Sequence, residues 1–142
     1  MASDPVSPRA TILQGGRAKA YRPLPIEARA TAVHDGLAAY RRGDFFLAHE
    51  LLEPAWMGTA EVGERELIQG LIKLAAAYVH DVRGNPLGVE KNLRGARTRL
   101  AAAHGREPAV PELAVLDVER LITAIDRRLA GSATTAPRLV SR

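Results

Sequence analysis

Three ionisable residues interrupt the apolar stretch from residue 45 to residue 56, which reads FFLAHELLEPAW. They are His49, Glu50 and Glu53. On a helix, His49 and Glu53 are four residues apart, so both project from one face and can reach the same point, as two metal ligands do. The zinc motif His-Glu-x-x-His has a histidine where this chain has Glu53. The pattern therefore indicates divalent-metal chemistry while differing from the established motif at one position.

The helix that carries these residues is predicted to begin after Asp44, a good N-cap residue. A stripe of Phe45, His49, Leu52 and Trp56 follows at helical spacing, with the carboxylates beside it. Pro54 removes one helical hydrogen bond and crowds the preceding turn. We therefore expect a kink or an end of regular helix there, with Trp56 packed beyond it over the polar residues.

The next helix, predicted over about 64–82, is the most hydrophobic and should be central, because a helix that is apolar on most sides is surrounded by others. One polar line runs along it, from Gln69 to His80, and these two residues point the same way, roughly 16 Å apart at 1.5 Å per residue. Gly70 should allow close approach of a neighbouring helix. Gly84 and Asn85 form a structural joint, because glycine suits the left-handed position after a helix and asparagine caps the next one.

The remaining pattern predicts an all-α fold, a small bundle of about five helices around the central one. Few β-branched runs and no alternation of polar and apolar residues argue against a sheet. The predicted organisation has three parts: a flexible arm containing Pro and Gly over 1–25, a single all-α domain over 26–130, and a disordered tail over 131–142. The other predicted helices cover about 26–42, 86–103 and 111–129.

Composition excludes several classes of function. The chain has no cysteine, so disulfides, thiolate metal sites and cysteine nucleophiles are excluded. No apolar run approaches the ~20 residues that span a membrane, and no secretory signal is evident, so we predict a cytoplasmic protein without membrane contact. The net charge of +4 resides in the two ends of the chain, which argues against a nucleic-acid-binding fold.

Several motifs together resemble one known family. They are FFLAHELLEPAW, RELIQGLIKLAAAYVH, RGNPLGVEKNL and ARTRL, within about residues 36–103. They look like the bacterial and archaeal family catalogued as domain of unknown function 309, whose members are often labelled predicted metal-dependent hydrolase. The resemblance implies a small helical bundle with a central helix wrapped by others. Carried over to this chain, it also implies a polar set of His49, Glu50, Glu53, Gln69 and His80.

If the two central helices run antiparallel, His80 can supply a third metal ligand beside His49 and Glu53. Two imidazoles and one carboxylate suit Zn²⁺, Fe²⁺ or Mn²⁺ and leave a position for water. Glu50 would then be the general base that activates this water. This hypothesis describes a metal-dependent hydrolase acting on a small substrate.

Two alternatives stay open at this point. The cluster could hold a metal or a small ligand without catalysis. It could also be a structural network, in which His49, Glu53, Gln69 and His80 bond to one another, with the Trp56 indole N–H, and only order the core. The chain would then act through a protein partner or through self-association into a homo-oligomer, which an Ala- and Leu-rich bundle allows.

Overall fold

The longest helix lies at the centre of the fold, and the predicted all-α class is confirmed apart from one short hairpin. The computed structural model describes residues 11–14 and 16–142. Within them the elements are β1 (Thr11–Gln14), β2 (Arg17–Ala20), α1 (Ile26–Arg41), α2 (Phe45–Met57), α3 (Val62–Val82), α4 (Pro86–Ala103), α5 (Pro111–Ala114) and α6 (Val118–Leu129).

The central helix α3 packs against both α2 and α4. Its first turn is capped by the side chain of Glu61, which accepts hydrogen bonds from the backbone N–H groups of Gly63 and Glu64. At its other end Tyr78 contacts Phe45 at the start of α2, with ring centroids 5.5 Å apart. Because the start of α2 meets the end of α3, the two helices are antiparallel.

The helix α2 begins where its cap predicts, since the Asp44 side chain accepts a hydrogen bond from the backbone N–H of Leu47 at 3.3 Å. Pro54 does not end the helix, which continues to Met57. The carbonyl of Pro54 still accepts a hydrogen bond from Gly58 N–H at 2.9 Å. His49 and Glu53, which both precede Pro54, lie one turn apart on this helix.

The two ends of the chain differ from the prediction. Part of the predicted flexible arm lies outside the described residues, but residues 11–14 and 16–20 form the antiparallel hairpin β1–β2, in which Gln14 is paired with Arg17. Gly16 in its turn has φ +77°, a conformation that glycine adopts without strain. Strands of four residues are too short to give a periodic sequence signal, which is why the hairpin was not predicted.

The predicted disordered tail is instead packed on the domain. Leu139 is buried, and the Tyr40 hydroxyl donates a hydrogen bond to the carbonyl of Pro137 at 2.7 Å. Ser141 forms a β-bridge with Leu116. The predicted fifth helix over 111–129 is also divided into α5 and α6, because Asp117 caps a new helix through a bond from Arg120 N–H at 3.0 Å.

We predict opposite effects for two glycine-to-alanine changes on facing helices. A Cβ added at Gly70 of α3 would lie 2.8 Å from the Leu100 side chain and 3.3 Å from its backbone nitrogen, in a fully packed core. Gly70→Ala should therefore lower the free energy of unfolding by about 2 kcal/mol despite the better helix propensity of alanine.

Gly95→Ala on α4 is the matched control, because its Cβ would meet only the flexible side chain of Lys73, at 2.9 Å. It should leave the stability unchanged or raise it by up to about 1 kcal/mol. Urea denaturation of both variants measures the difference. Equal effects would contradict the inferred close approach of α3 and α4 at Gly70.

Candidate functional site

Three consecutive charged residues at the start of α3 are buried. Glu64, Arg65 and Glu66 have relative exposures of 2%, 0% and 7%. A buried charge is costly unless hydrogen bonds or opposite charges compensate it, so each of the three needs partners. These partners come from the hairpin, from the end of α2, from α4 and from the loop before α5, and they define the most polar part of the interior.

The guanidinium of Arg65 bonds mainly to backbone carbonyls. Nη1 donates to the carbonyls of Trp56 and Thr59 at 3.1 and 3.0 Å, and Nη2 donates to the carbonyl of Ala20 at 3.1 Å. Its carbon Cζ also lies 4.9 Å from the centre of the Trp56 ring, a cation–π contact. Burial lowers the pKa of Arg65, while the neighbouring Tyr21 and Glu66 oppose this shift. The side chain thus joins β2, the end of α2 and the loop between α2 and α3.

Glu64 holds the loop that leads into α5. Its two carboxylate oxygens accept hydrogen bonds from the backbone N–H groups of Ala109 and Val110, at 3.1 and 3.2 Å. Arg29 of α1 lies 3.8 Å away as an ion-pair partner. The role of Glu64 is therefore accounted for by the fold.

The side-chain carboxamide of Gln14 lies in the centre of a second group of contacts, which we call the amide cluster. Gln14 is 1% exposed although it belongs to the hairpin. Its NH₂ group donates to the carboxylate of Glu66 and, at 2.6 Å, to the side-chain oxygen of Gln69. Its carbonyl oxygen accepts from the indole N–H of Trp56 at 3.3 Å and from Nε of Arg65 at 3.4 Å. The cluster consists of Gln14, Trp56, Arg65, Glu66 and Gln69.

Positive charge extends from the amide cluster along the same face. Arg99 of α4 donates to the Glu66 carboxylate at 3.0 Å. Lys73, one helical turn beyond Gln69, has its pKa lowered, first by burial and then by the neighbouring cations Arg99, Lys19 and Lys91. A group with a depressed pKa and cationic neighbours favours an anion or loss of its own proton.

The predicted ligands on α2 lie outside the amide cluster. His49 is partly buried, and its Nδ1 lies 3.2 Å from the carboxylate of its neighbour Glu50. Glu50 and Glu53 are both exposed. The Glu50 carboxylate therefore contacts a histidine of its own helix.

His80 at the end of α3 is bonded to the joint that follows it. Asn85 donates from its side-chain nitrogen to Nδ1 of His80 at 3.1 Å, and its oxygen caps α4 by accepting from Gly88 N–H at 3.2 Å. Acceptance at Nδ1 puts the imidazole proton on Nε2. Gly84 has φ +71°, and Gly88 lies so close that a Cβ there would be 2.5 Å from the His80 ring.

The structure therefore brings together Trp56 and Gln69 of the predicted site residues, but bonds His49 and His80 to separate partners. Among residues 11–14 and 16–142, no group of three or more His, Asp or Glu side chains is arranged to hold a metal ion. This donor arrangement does not fit the three-ligand centre, and metal binding by His49, Glu53 and His80 stays a prediction.

Sequence reasoning missed Gln14, Arg65 and Glu66. A signal was present for two of them, since the polar line through Gln69 and Lys73 reaches Arg65 and Glu66 when it is continued back by one turn. No local signal marked Gln14, because it lies in a segment without periodicity and reaches its partners across 42 to 55 positions of sequence.

Residues 33–96 match the family model described as Domain of unknown function (DUF309). The resemblance predicted from the motifs is confirmed over those residues. The match contains Trp56, Arg65, Glu66 and Gln69 but not Gln14, so the hairpin is outside it. No curated protein and no solved structure matches the chain. In the part of the chain that the structure describes, no helix is both long and apolar enough to cross a membrane.

We predict that Arg65 is among the most sensitive positions in the domain. Arg65→Met keeps the length of the side chain but removes the Arg65 donors of the Thr59 and Ala20 carbonyls, and it leaves the Trp56 carbonyl only the Thr59 N–H at 3.3 Å. It should lower the free energy of unfolding by about 3 kcal/mol, since each buried acceptor left unpaired costs about 1 kcal/mol or more. Urea denaturation measures the loss.

The control is Arg94→Met, which removes an exposed arginine paired with Glu90 at 2.9 Å on the same helix. Such a pair contributes about 0.5 kcal/mol or less. If Arg65→Met costs no more than Arg94→Met, Arg65 does not tie the three segments together.

Proposed function

We propose that this chain is a helical module that binds a small polar ligand at the amide cluster, with the hairpin β1–β2 as a cover that the ligand displaces. One observation carries the proposal. Of the described hairpin residues, 11–14 and 16–20, only Gln14 is buried, and it fills the polar site on α2 and α3. The hairpin is thus held in place because its Gln14 side chain occupies the polar site.

The forces that hold the hairpin are of a kind that a ligand can replace. Leu13 is 69% exposed, so it contributes little apolar burial. A two-stranded hairpin alone is marginally stable in water and needs packing against the rest of the domain. Besides the half-buried Ile12, that packing consists of the four hydrogen bonds of Gln14 and the bond from Arg65 to Ala20.

The segment after the hairpin is attached more firmly and would remain in place when the hairpin opens. Arg22 N–H and Leu24 N–H donate to the carbonyls of Met57 and Gly58, at 2.9 and 3.2 Å. A Cβ on Gly58 would lie 2.3 Å from the Cβ of Leu24, so the two backbones touch. Displacement would therefore move residues 11–14 and 16–20 about a fixed point near Tyr21.

A binding experiment with a loosened cover tests this function. In Gln14→Ala the site is empty and the hairpin loses its main attachment. We expect at least one of glutamine, acetamide, acetate, inorganic phosphate or imidazole to bind this variant and to shift the indole N–H resonance of Trp56. This resonance is a direct probe, because the chain has one tryptophan.

Wild-type protein should bind the same molecule more weakly, because the hairpin competes and only the open fraction is available. Leu13→Ala, which alters the exposed neighbour on the same strand, should behave like the wild type. If none of the five molecules moves the Trp56 resonance in Gln14→Ala, the cluster only orders the core and the proposed function is wrong.

The metal-dependent hydrolase is the second proposal, with His49, Glu53 and His80 as ligands and Glu50 as base. The regular helix over His49 and Glu53 supports it, because the two residues lie one turn apart, at the spacing of a helical ligand pair. It requires His80 to leave Asn85. Protein purified without an affinity tag and then reconstituted should retain about one Zn²⁺, Fe²⁺ or Mn²⁺ per chain if this proposal holds.

His49→Ala should then abolish metal retention, whereas His34→Ala should not, because His34 is an exposed histidine paired with Glu112 at 3.0 Å. Metal content below about a tenth of an ion per wild-type chain would exclude the hydrolase without affecting the small-ligand site.

A further inference from the structure

We infer that the amide cluster recognises a primary carboxamide, so the ligand of this chain carries a CONH₂ group. The inference deepens the proposed function and rests on it. The groups that surround the Gln14 side chain each have a defined role as hydrogen-bond donor or acceptor.

Three of the four groups that contact Gln14 have fixed polarity. Ionised Glu66 can only accept hydrogen bonds, whereas the Trp56 indole N–H and the Arg65 guanidinium can only donate them. An occupant must therefore present a donor towards Glu66 and an acceptor towards Trp56 and Arg65. The contacts of Gln14 satisfy this requirement, with NH₂ on Glu66 and the carbonyl oxygen on Trp56 and Arg65.

The fourth group, the side chain of Gln69, restricts the chemistry of the occupant further. Gln69 lies 2.6 Å from the Gln14 nitrogen and accepts from it, so this nitrogen donates to two acceptors, Glu66 and Gln69. A nitrogen with two hydrogens on a carbon that also carries a carbonyl oxygen is a primary carboxamide. A secondary amide would place an alkyl group against one of the two acceptors and leave it unpaired.

Other small polar groups fit less well. A carboxylate would put an oxygen without hydrogen against Glu66, where both would be negative and no hydrogen bond could form. A ketone would offer the acceptor to Trp56 and Arg65 but no donor to Glu66 or Gln69. Sites that hydrogen-bond a substrate group reject analogues that lack it, because their own buried polar groups are then left unpaired.

The experiment uses full-length Gln14→Ala and four matched probes. The change to alanine removes a methylene and the carboxamide, which together correspond to acetamide. Acetate, acetone and N-methylacetamide also carry a methyl group on a carbonyl carbon. They differ from acetamide in the number of N–H donors, which is none, none and one. We expect acetamide to raise the melting temperature of Gln14→Ala by about 3 °C at a tenfold excess over its dissociation constant.

Acetamide should also move the Trp56 indole N–H resonance of Gln14→Ala back towards its wild-type position. The other three probes should do neither at equal concentration. The wild type and Leu13→Ala should respond more weakly to acetamide at the same concentration, because Gln14 competes for their site. If acetone or acetate acts as strongly as acetamide, or if all three proteins respond equally, the carboxamide inference is overturned.

These outcomes separate the two proposals. If phosphate or imidazole binds and acetamide is not preferred, the proposal of a ligand site is supported and only the carboxamide inference is wrong. Should Gln14→Ala fail to fold, Gln14→Met provides the test, because methionine fills the space without donor or acceptor. It should lower the melting temperature and shift the Trp56 resonance, with no response to acetamide. A melting temperature and a resonance equal to those of the wild type would overturn the inference.

Discussion

The arrangement of the domain depends on one buried cation, the guanidinium of Arg65. It is fully enclosed, and its hydrogen bonds go to the carbonyls of Trp56, Thr59 and Ala20. Ala20 is the last residue of β2 and Thr59 lies in a loop, whereas the Trp56 carbonyl near the end of α2 also accepts from Thr59 N–H at 3.3 Å. A rigid fork of donors satisfies several of them at once, which a lysine could not do with the same geometry. The interior at this end of the bundle is thus built around a charge.

A buried cation also constrains what may lie beside it. Arg65 is adjacent to Glu66, whose carboxylate also accepts a hydrogen bond from Arg99, so one anion lies between two cations. The Trp56 ring adds its negative face on one side. The space that the Gln14 side chain fills has hydrogen-bond donors on one side and acceptors on the other. Its occupant must match both, which an apolar side chain cannot do without leaving buried polar groups unpaired.

The helices could be predicted because their signals are local. Caps such as Asp44 and Asn85 bond within three residues, and the apolar character of α3 indicated its central position. The hairpin and the packed tail could not be predicted, since their short segments are held by partners far away in sequence, as Tyr40 holds Pro137. For the site, the sequence indicated Trp56 and Gln69 through helical spacing. It did not indicate Gln14, whose burial depends on tertiary contacts alone.

The strand β1 buries Gln14 most deeply, with Ile12 half-buried on the same face, and it leaves Leu13 exposed on the other face. Successive strand residues point to opposite faces, so a shift by one position would bury Leu13 in place of Gln14. Burial of a leucine would hold the hairpin by about 2 kcal/mol whatever else is present. The bonds of Gln14 contribute about 1 kcal/mol each, and a ligand with the same donors and acceptors can replace them. The hairpin is thus attached through hydrogen bonds that a matching ligand can replace. Burial of Gln14 in place of Leu13 therefore suits a polar site that must open.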